Sequence, residues 1–380
     1  MNETKLHIYN PIFSFLKRWW LLLPGPVGIC LVLLARQSPE MTEKLYSSGI
    51  YPWMVRVWGG LTSLLPFSLI ELLICLMILG VFALLFLVIR SLIKREKKTD
   101  APPARIGLLI GRMAKLLSCI LFAFIILCGL NYYRPEFTAF SGLDVRDSPV
   151  QELAALCSEL AGRANELRAQ MPEDENGVMR LETGYYATAR EARASFGKLS
   201  EDYSVLPDLP INPKPVMNSW WMSLTQITGV FSPYTYEANV NIAAPDYTIP
   251  ATICHELAHT RGFMREDEAN FIGYLACEKS GDPQFTYSGV MLALVHSINR
   301  LYSVDYNAFC QVNDTLSDGV RRDFAYNNTY WEKHEGPVAA VSEAVNDTYL
   351  KVNNQQDGTQ SYGRMVDLLL ADYRARHAEG

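Results

Sequence analysis

The chain has 380 residues, a formal net charge of −6 and a hydrophobic content of 49%. The first 130 residues hold 14 basic and 6 acidic side chains, which leaves 20 basic and 34 acidic for the remainder. A basic first third and an acidic remainder exclude nucleic acid as a partner and suit a membrane protein with a soluble outer part.

Three apolar runs occupy the basic third. Trp19 to Ala35 is interrupted by Pro24 and Pro26 but is long enough to span a bilayer with slight mismatch. Leu64 to Ile93 carries one acid, Glu71, near an end, where interfacial placement is expected. Ile106 to Leu130 opens with Arg112 and Lys115, whose long side chains can snorkel toward the headgroups. No small-residue cleavage site follows Ala35, and two further runs come after it, so the first run reads as a retained span. Residues 1–130 are therefore expected to form a membrane anchor with helices at about 19–35, 64–93 and 106–130, and the lipid bilayer is a partner.

Orientation follows from the short loops. Lys17 and Arg18 precede the first span, and Arg90, Lys94, Arg95, Lys97, Lys98 and Arg105 crowd the loop between the second and third. An excess of Lys and Arg marks cytoplasmic segments. The expectation is a multi-pass cell-membrane protein with a cytoplasmic N-terminus and residues 131–380 extracytoplasmic. The loop from Arg36 to Ser63 is then also outside, with Trp53 and Trp58 as interfacial anchors.

Beyond the membrane, Val150 to Met171 has apolar residues at helical spacing after the start signal Asp147-Ser148-Pro149. A second helix is expected over Glu182 to Asp202, and Leu206 to Pro215 is a proline-rich covering loop. Gln226 to Ala243 shows partial β alternation, and Gly229 and Pro233 suit an edge strand or bulge. Tyr287 to Val304 is a strongly apolar helix containing His296. His296 is weighed as a donor to a developing oxyanion against a structural role, and lone histidines more often take the latter. The stretches around Trp331, His334 and Glu335, Val345 to Val352 and Met365 to Tyr373 read as helices, with a turn at Asp357-Gly358. The fold class is mainly α, or α+β with a small sheet or edge strand. Cys157, Cys254, Cys277 and Cys310, outside the spans, match no zinc knuckle or CxxC spacing, and disulfides and buried thiols both remain open.

The stretch with chemistry is Thr252 to Phe271, TICHELAHTRGFMREDEANF. On a helix, His255 and His259 lie four residues apart and project from one face, where both can hold a single cation. Glu256 sits beside that face, placed to act as a general base toward water on a zinc ion. Gly262 reads as the residue just past the helix end, able to take positive φ. A second helix is expected from about Arg265 to Lys279. Glu266, Ala269, Asn270, Gly273 and Cys277 form a small or polar stripe on it that allows close approach to the His helix. Glu266 on that stripe is the expected third ligand, with Asn270 one turn on orienting a ligand. Glu268 points to the side of Phe271, Ile272 and Leu275 and stays open as the alternative, because the connection is short. One Zn²⁺ per chain is expected.

A Glu followed four residues later by Asp or Asn, downstream of an HExxH helix, resembles the gluzincin pattern of zinc peptidases, although most gluzincins have a longer insertion between the two helices. Gly262 is similar to the metzincin pattern, but Arg265 stands in place of the third metzincin histidine and cannot ligate. The whole layout resembles the bacterial membrane family catalogued as domain of unknown function 3810. The carriers are HELAHTRGF with REDEANF, ITGVFSPYTYEANVN, NDTYLK and DGTQSYGRMVDLLLA. This resemblance implies a membrane-anchored, zincin-like, mostly helical extracytoplasmic domain. In zincins the strand before the His helix pairs with bound peptide, which makes Tyr234, Tyr236 and Glu237 candidates for a substrate wall. The leading expectation is a gluzincin-like zinc metallopeptidase acting on a peptide or protein substrate at the cell surface. The competing class is a non-catalytic envelope scaffold or binding protein with a structural or degenerate metal site.

Overall fold

In the computed structural model, residues 19–93, 102–353, 355 and 364–378 are described. Lys17, Arg18, Lys94, Arg95, Lys97, Lys98 and the Asp357-Gly358 turn lie outside them. The described residues are mainly helical with one three-stranded sheet. Three segments, Trp20–Gln37, Leu69–Leu87 and Ile110–Leu127, are long and apolar enough to cross a membrane.

These segments belong to α1 (Pro24–Gln37), with a 3₁₀ turn before it, α2 (Leu69–Ile93) and α3 (Pro102–Leu127). α1 lies tightly along α3 because two of its residues lack side chains. A Cβ on Gly28 would come within 2.8 Å of Ile125, and the Gly25 N–H donates to Ser118 Oγ at 2.8 Å. Small residues at such contacts are how helices associate where water provides no driving force. The spanning window of α2 is unburied. An apolar helix left so is stable in lipid, where its backbone bonds are all internal.

The connection between α1 and α2 differs from the expected loop. Residues 39–62 are helical throughout, alternating α turns with π turns at Glu43–Ile50 and Val55–Gly59. The wider π turns bring residues five apart, Tyr46 and Tyr51, onto the same side as Val55, and all three are buried. This connecting helix is thus built into the fold. Arg134 grips Glu43 with two bonds of 2.8 Å, Thr62 Oγ1 donates to Thr235 O at 2.9 Å, and Tyr51 Oη donates to His259 O at 3.2 Å. Trp53 and Trp58 stay exposed, and the Trp58 indole donates to Tyr234 O at 3.1 Å. Glu71, at the head of α2, accepts from the Met217 and Asn218 backbone N–H groups at 2.9 and 2.8 Å.

Past α3 come α4 (Val150–Arg168), α5 (Tyr185–Asp202), β1 (Lys214–Val216), α6 (Ser219–Leu224), β2 (Gly229–Ser232) and β3 (Glu237–Asn241). They are followed by α7 (Ile249–Thr260), α8 (Glu266–Ser280), α9 (Pro283–Val304), α10 (Tyr306–Asp314), α11 (Asp318–Glu332), α12 (Pro337–Val352) and α13 (Met365–Ala378). β3 is central, parallel to β1 and antiparallel to β2. β3 is buried at every residue, so its sequence EANVN does not alternate in and out. Its polar members are satisfied internally: Ser68 donates to Asn239 Oδ1 at 2.7 Å, and Asn241 donates to Ser223 Oγ at 2.9 Å. The core is formed by α8 and α9 against α4, α5 and α7. Buried Asp323 ties it to α11 by accepting from Arg168, from the Met179 N–H and from the Tyr287 hydroxyl at 2.6 Å.

The Glu43–Arg134 pair joins the connecting helix to the remainder in a setting that removes both groups from water. Truncating either partner leaves a buried charge unpaired, which costs about 3–5 kcal/mol. Glu43→Ala and Arg134→Ala are each expected to lower the unfolding midpoint of the full chain in detergent. The double variant should lose less than the two single losses together, and additive losses would show that the pair does not act as a unit.

Candidate metal centre

α7 ends where its sequence changes. Gly262 takes φ 84°, and the Gly262 N–H bonds His259 O at 3.0 Å, closing the last turn. The reversal carries Phe263 back along the helix so that its carbonyl accepts from His259 Nδ1 at 2.7 Å. α8 then begins at Glu266 and runs against α7. A Cβ on Gly273 would sit 3.1 Å from the His255 backbone nitrogen, so the small stripe seats one backbone on the other.

His255 Nδ1 lies 2.8 Å from Asn270 Oδ1. A carbonyl partner favours Nδ1–H on His259, and the Asn270 oxygen does the same for His255, so with both rings neutral the two Nε2 lone pairs converge on one point. The Nε2 atoms are 3.0 Å apart, with Glu266 Oε2 3.2 Å from His255 Nε2 and Oε1 3.8 Å from His259 Nε2. Tetrahedral zinc with bonds of 2.0–2.1 Å separates its ligand atoms by roughly 3.3 Å. The three edges bracket that value. Among the described residues this is a metal-capable group of three.

The charges also favour a cation. Burial opposes a charge on His255, but the hydrogen bond and charge of Glu266, with Glu256 behind them, raise it to about 9. Burial holds His259 down to about 4 against the pull of Glu266. Glu256 is 3% exposed, and burial, opposed by His255 and aided by Glu266, pushes its carboxyl up to about 8. Glu256 Oε2 has no hydrogen-bond partner. β2 supplies the space for this carboxyl, because a Cβ on Gly229 would lie 2.5 Å from Glu256 Oε1. The donor set and its spacing fit a zinc ion, and the Glu256 carboxyl lies buried beside them.

Other expected positions separate from this cluster. Glu268 does not approach the histidines: it is buried, accepts from the Phe137 N–H at 2.6 Å, and supports the segment after α3. Burial pushes it up to about 7. Tyr236 and Glu237 are each 1% exposed and form no substrate wall. Tyr236 turns inward at φ 52° and donates to Leu127 O at 3.1 Å, and Glu237 caps α2 by accepting from the Leu69 and Ile70 N–H groups at 2.9 and 3.0 Å. The hairpin turn between β2 and β3 is what redirects them. Tyr234, in that turn, is 40% exposed. His296 is half-buried on α9, and burial and the nearby His255 charge hold it down to about 4. The described cysteines are all free.

Two participants have no motif. The Tyr185 hydroxyl, at the start of α5, is buried without a hydrogen-bond partner; burial, then Tyr186 and then the Glu256 charge raise its pKa. Tyr51 reaches His259 O from the connecting helix, 208 positions earlier in the chain. Gly229, which makes room for Glu256, carried a weak signal as a glycine in a strand.

A family model described as Protein of unknown function (DUF3810) matches residues 46–370. No curated protein and no solved structure matches the chain.

Elemental analysis of the full chain in detergent should find about one zinc per chain. Glu266→Ala should remove it, Glu268→Ala should retain it, and Asn270→Ala should weaken zinc affinity by roughly 10–100-fold. Zinc lost with Glu268→Ala and kept with Glu266→Ala would reverse the assignment.

Proposed function

We propose that this chain, which belongs to the family described as Protein of unknown function (DUF3810), is a membrane-anchored zinc-dependent hydrolase acting on peptide bonds. The observation that carries the reading is the triangle of His255, His259 and Glu266 with the unpartnered Glu256 carboxylate beside it. Zinc held by this set supplies Lewis-acid polarisation of a carbonyl and of water. Catalytic zinc sites use three protein donors and structural sites four, so the three donors here support the enzyme over the scaffold.

The chain's own residues divide the remaining work. Asn270 and the Phe263 carbonyl hold the two imidazoles in one tautomer and orientation. Glu256, with its proton affinity raised toward neutrality, takes a proton from water and returns it to the leaving amine. His296, neutral at ordinary pH, is the candidate donor to the oxyanion. β2 is an edge strand whose Gly229 lies against Glu256, so its free backbone edge can pair with an extended peptide beside the base. A substrate wall of the kind expected from the zincin resemblance would then be formed by Gly229–Ser232 and Tyr234.

The apolar helices and the basic residues around the second and third spans support an extracytoplasmic placement of residues 131–380 with a cytoplasmic N-terminus. The substrate is then a peptide or protein at the outer face of the cell membrane.

Glu256→Gln in the full chain is expected to abolish hydrolysis of a peptide library while zinc content stays at the wild-type level. Hydrolysis that survives this change overturns the mechanism. Gly229→Ala should displace the Glu256 carboxyl and reduce kcat by roughly 10²-fold, also without zinc loss; an unchanged kcat would show that the contact is dispensable.

A further inference from the structure

Away from the candidate metal centre, a cavity of about 600 Å³ opens where α5, β1 and the segment leading into α2 meet. That volume is ordinary for a small-ligand site. Its apolar side is Leu64 and Leu65, a few residues before α2 begins at Leu69, and Leu64 is 80% exposed. Across from them, α5 presents Arg190 and Arg193, three residues apart on one face. Lys214 of β1 completes the lining.

The charges in this cavity are unbalanced. Three cations line it with a single acid, Asp208. Lys214 is 2% exposed and its ammonium donates to the Leu65 carbonyl; burial lowers its pKa, the Glu237 charge opposes that, and among the described residues no carboxylate lies within ion-pair distance of it. Arg193 donates to the neutral Asn212 Oδ1 at 3.2 Å, and Arg190 forms no ion pair among the described residues. At the rim, Arg56 reaches Asp208 O at 3.4 Å and brings a further positive charge. A buried ammonium bonded to a carbonyl, with no carboxylate at ion-pair distance among the described residues, is stabilised when an anion joins it.

We infer that this cavity binds the phosphate of an anionic phospholipid, with the acyl chains following Leu64 and Leu65 along the start of α2. The inference takes α2 as a span, which rests on its length and apolarity. Guanidinium groups match phosphate oxygens in forked geometry, and an ammonium adds a point charge. Inorganic phosphate shares that chemistry but has no tail for the apolar side. A zwitterionic headgroup sets its own cation against Arg190 and Arg193, so the pocket selects net-negative lipid.

The test is native mass spectrometry of the full chain in detergent with phosphatidylglycerol or phosphatidylcholine added. Phosphatidylglycerol should be retained about tenfold more tightly, and Arg190→Ala with Arg193→Ala should remove that preference. Both arginines contact solvent at least in part, so the double variant should keep the wild-type unfolding midpoint; Lys214→Met, which keeps the stem, tests the floor separately. Millimolar inorganic phosphate should leave the lipid bound. Equal retention of the two lipids, or a preference unchanged in the double arginine variant, overturns the site. Displacement by inorganic phosphate overturns the lipid as its source.

Discussion

The reach of Glu266 and Asn270 to the two histidines depends on how closely α8 can approach α7. Gly273 sets that approach, since its missing side chain lets the α8 backbone rest on the backbone of His255 itself. Gly262 sets the direction, by turning the chain in a region of φ that L side chains rarely adopt. With those two positions fixed, Glu266 at the first residue of α8 falls beside both imidazoles and Asn270 falls beside one of them. Glu268, two residues along the same helix, is rotated away and accepts from the Phe137 backbone N–H instead.

The same closeness explains the electrostatics. Two carboxyl groups and two imidazoles share a region with little water, where like charges repel strongly and opposite charges attract strongly. Glu266 is the anion of this group, lifting His255, while Glu256 is held toward its neutral form by burial. A carboxylate with an unpartnered oxygen is a local cost that a fold retains only where something else compensates. The pocket that Gly229 leaves for Glu256 keeps the group buried and oriented.

Much of this arrangement was legible in the sequence because it is local. His255, Glu256 and His259 are fixed by helical spacing, and Gly262 and the stripe through Gly273 predict the reversal and the contact that follows. The apolar runs were likewise readable, since a span is a property of composition and length. What escaped was long-range. The sequence of residues 39–62 gives no sign that π turns will gather Tyr46, Tyr51 and Val55 on one face, nor that Tyr51 will meet His259. The zincin resemblance made Tyr236 and Glu237 wall candidates, but Tyr236 turns inward just before β3 and Glu237 lies on a central strand buried at every residue. The burial of Lys214 could not be inferred from a proline-rich stretch.

The connecting helix has a topological consequence. It precedes α2 and α3 in the chain, yet it packs into the part that follows them, through Glu43 to Arg134, Thr62 to Thr235 and Tyr51 to His259. The packed core is therefore assembled from two stretches of polypeptide separated by two apolar helices. A protease that nicks the exposed stretch before α4 cuts the covalent link to α3 but leaves residues 39–62 seated in the fold. The part beyond the nick then stays joined to the three apolar helices through contacts alone, and separating it from them takes unfolding as well as a cut.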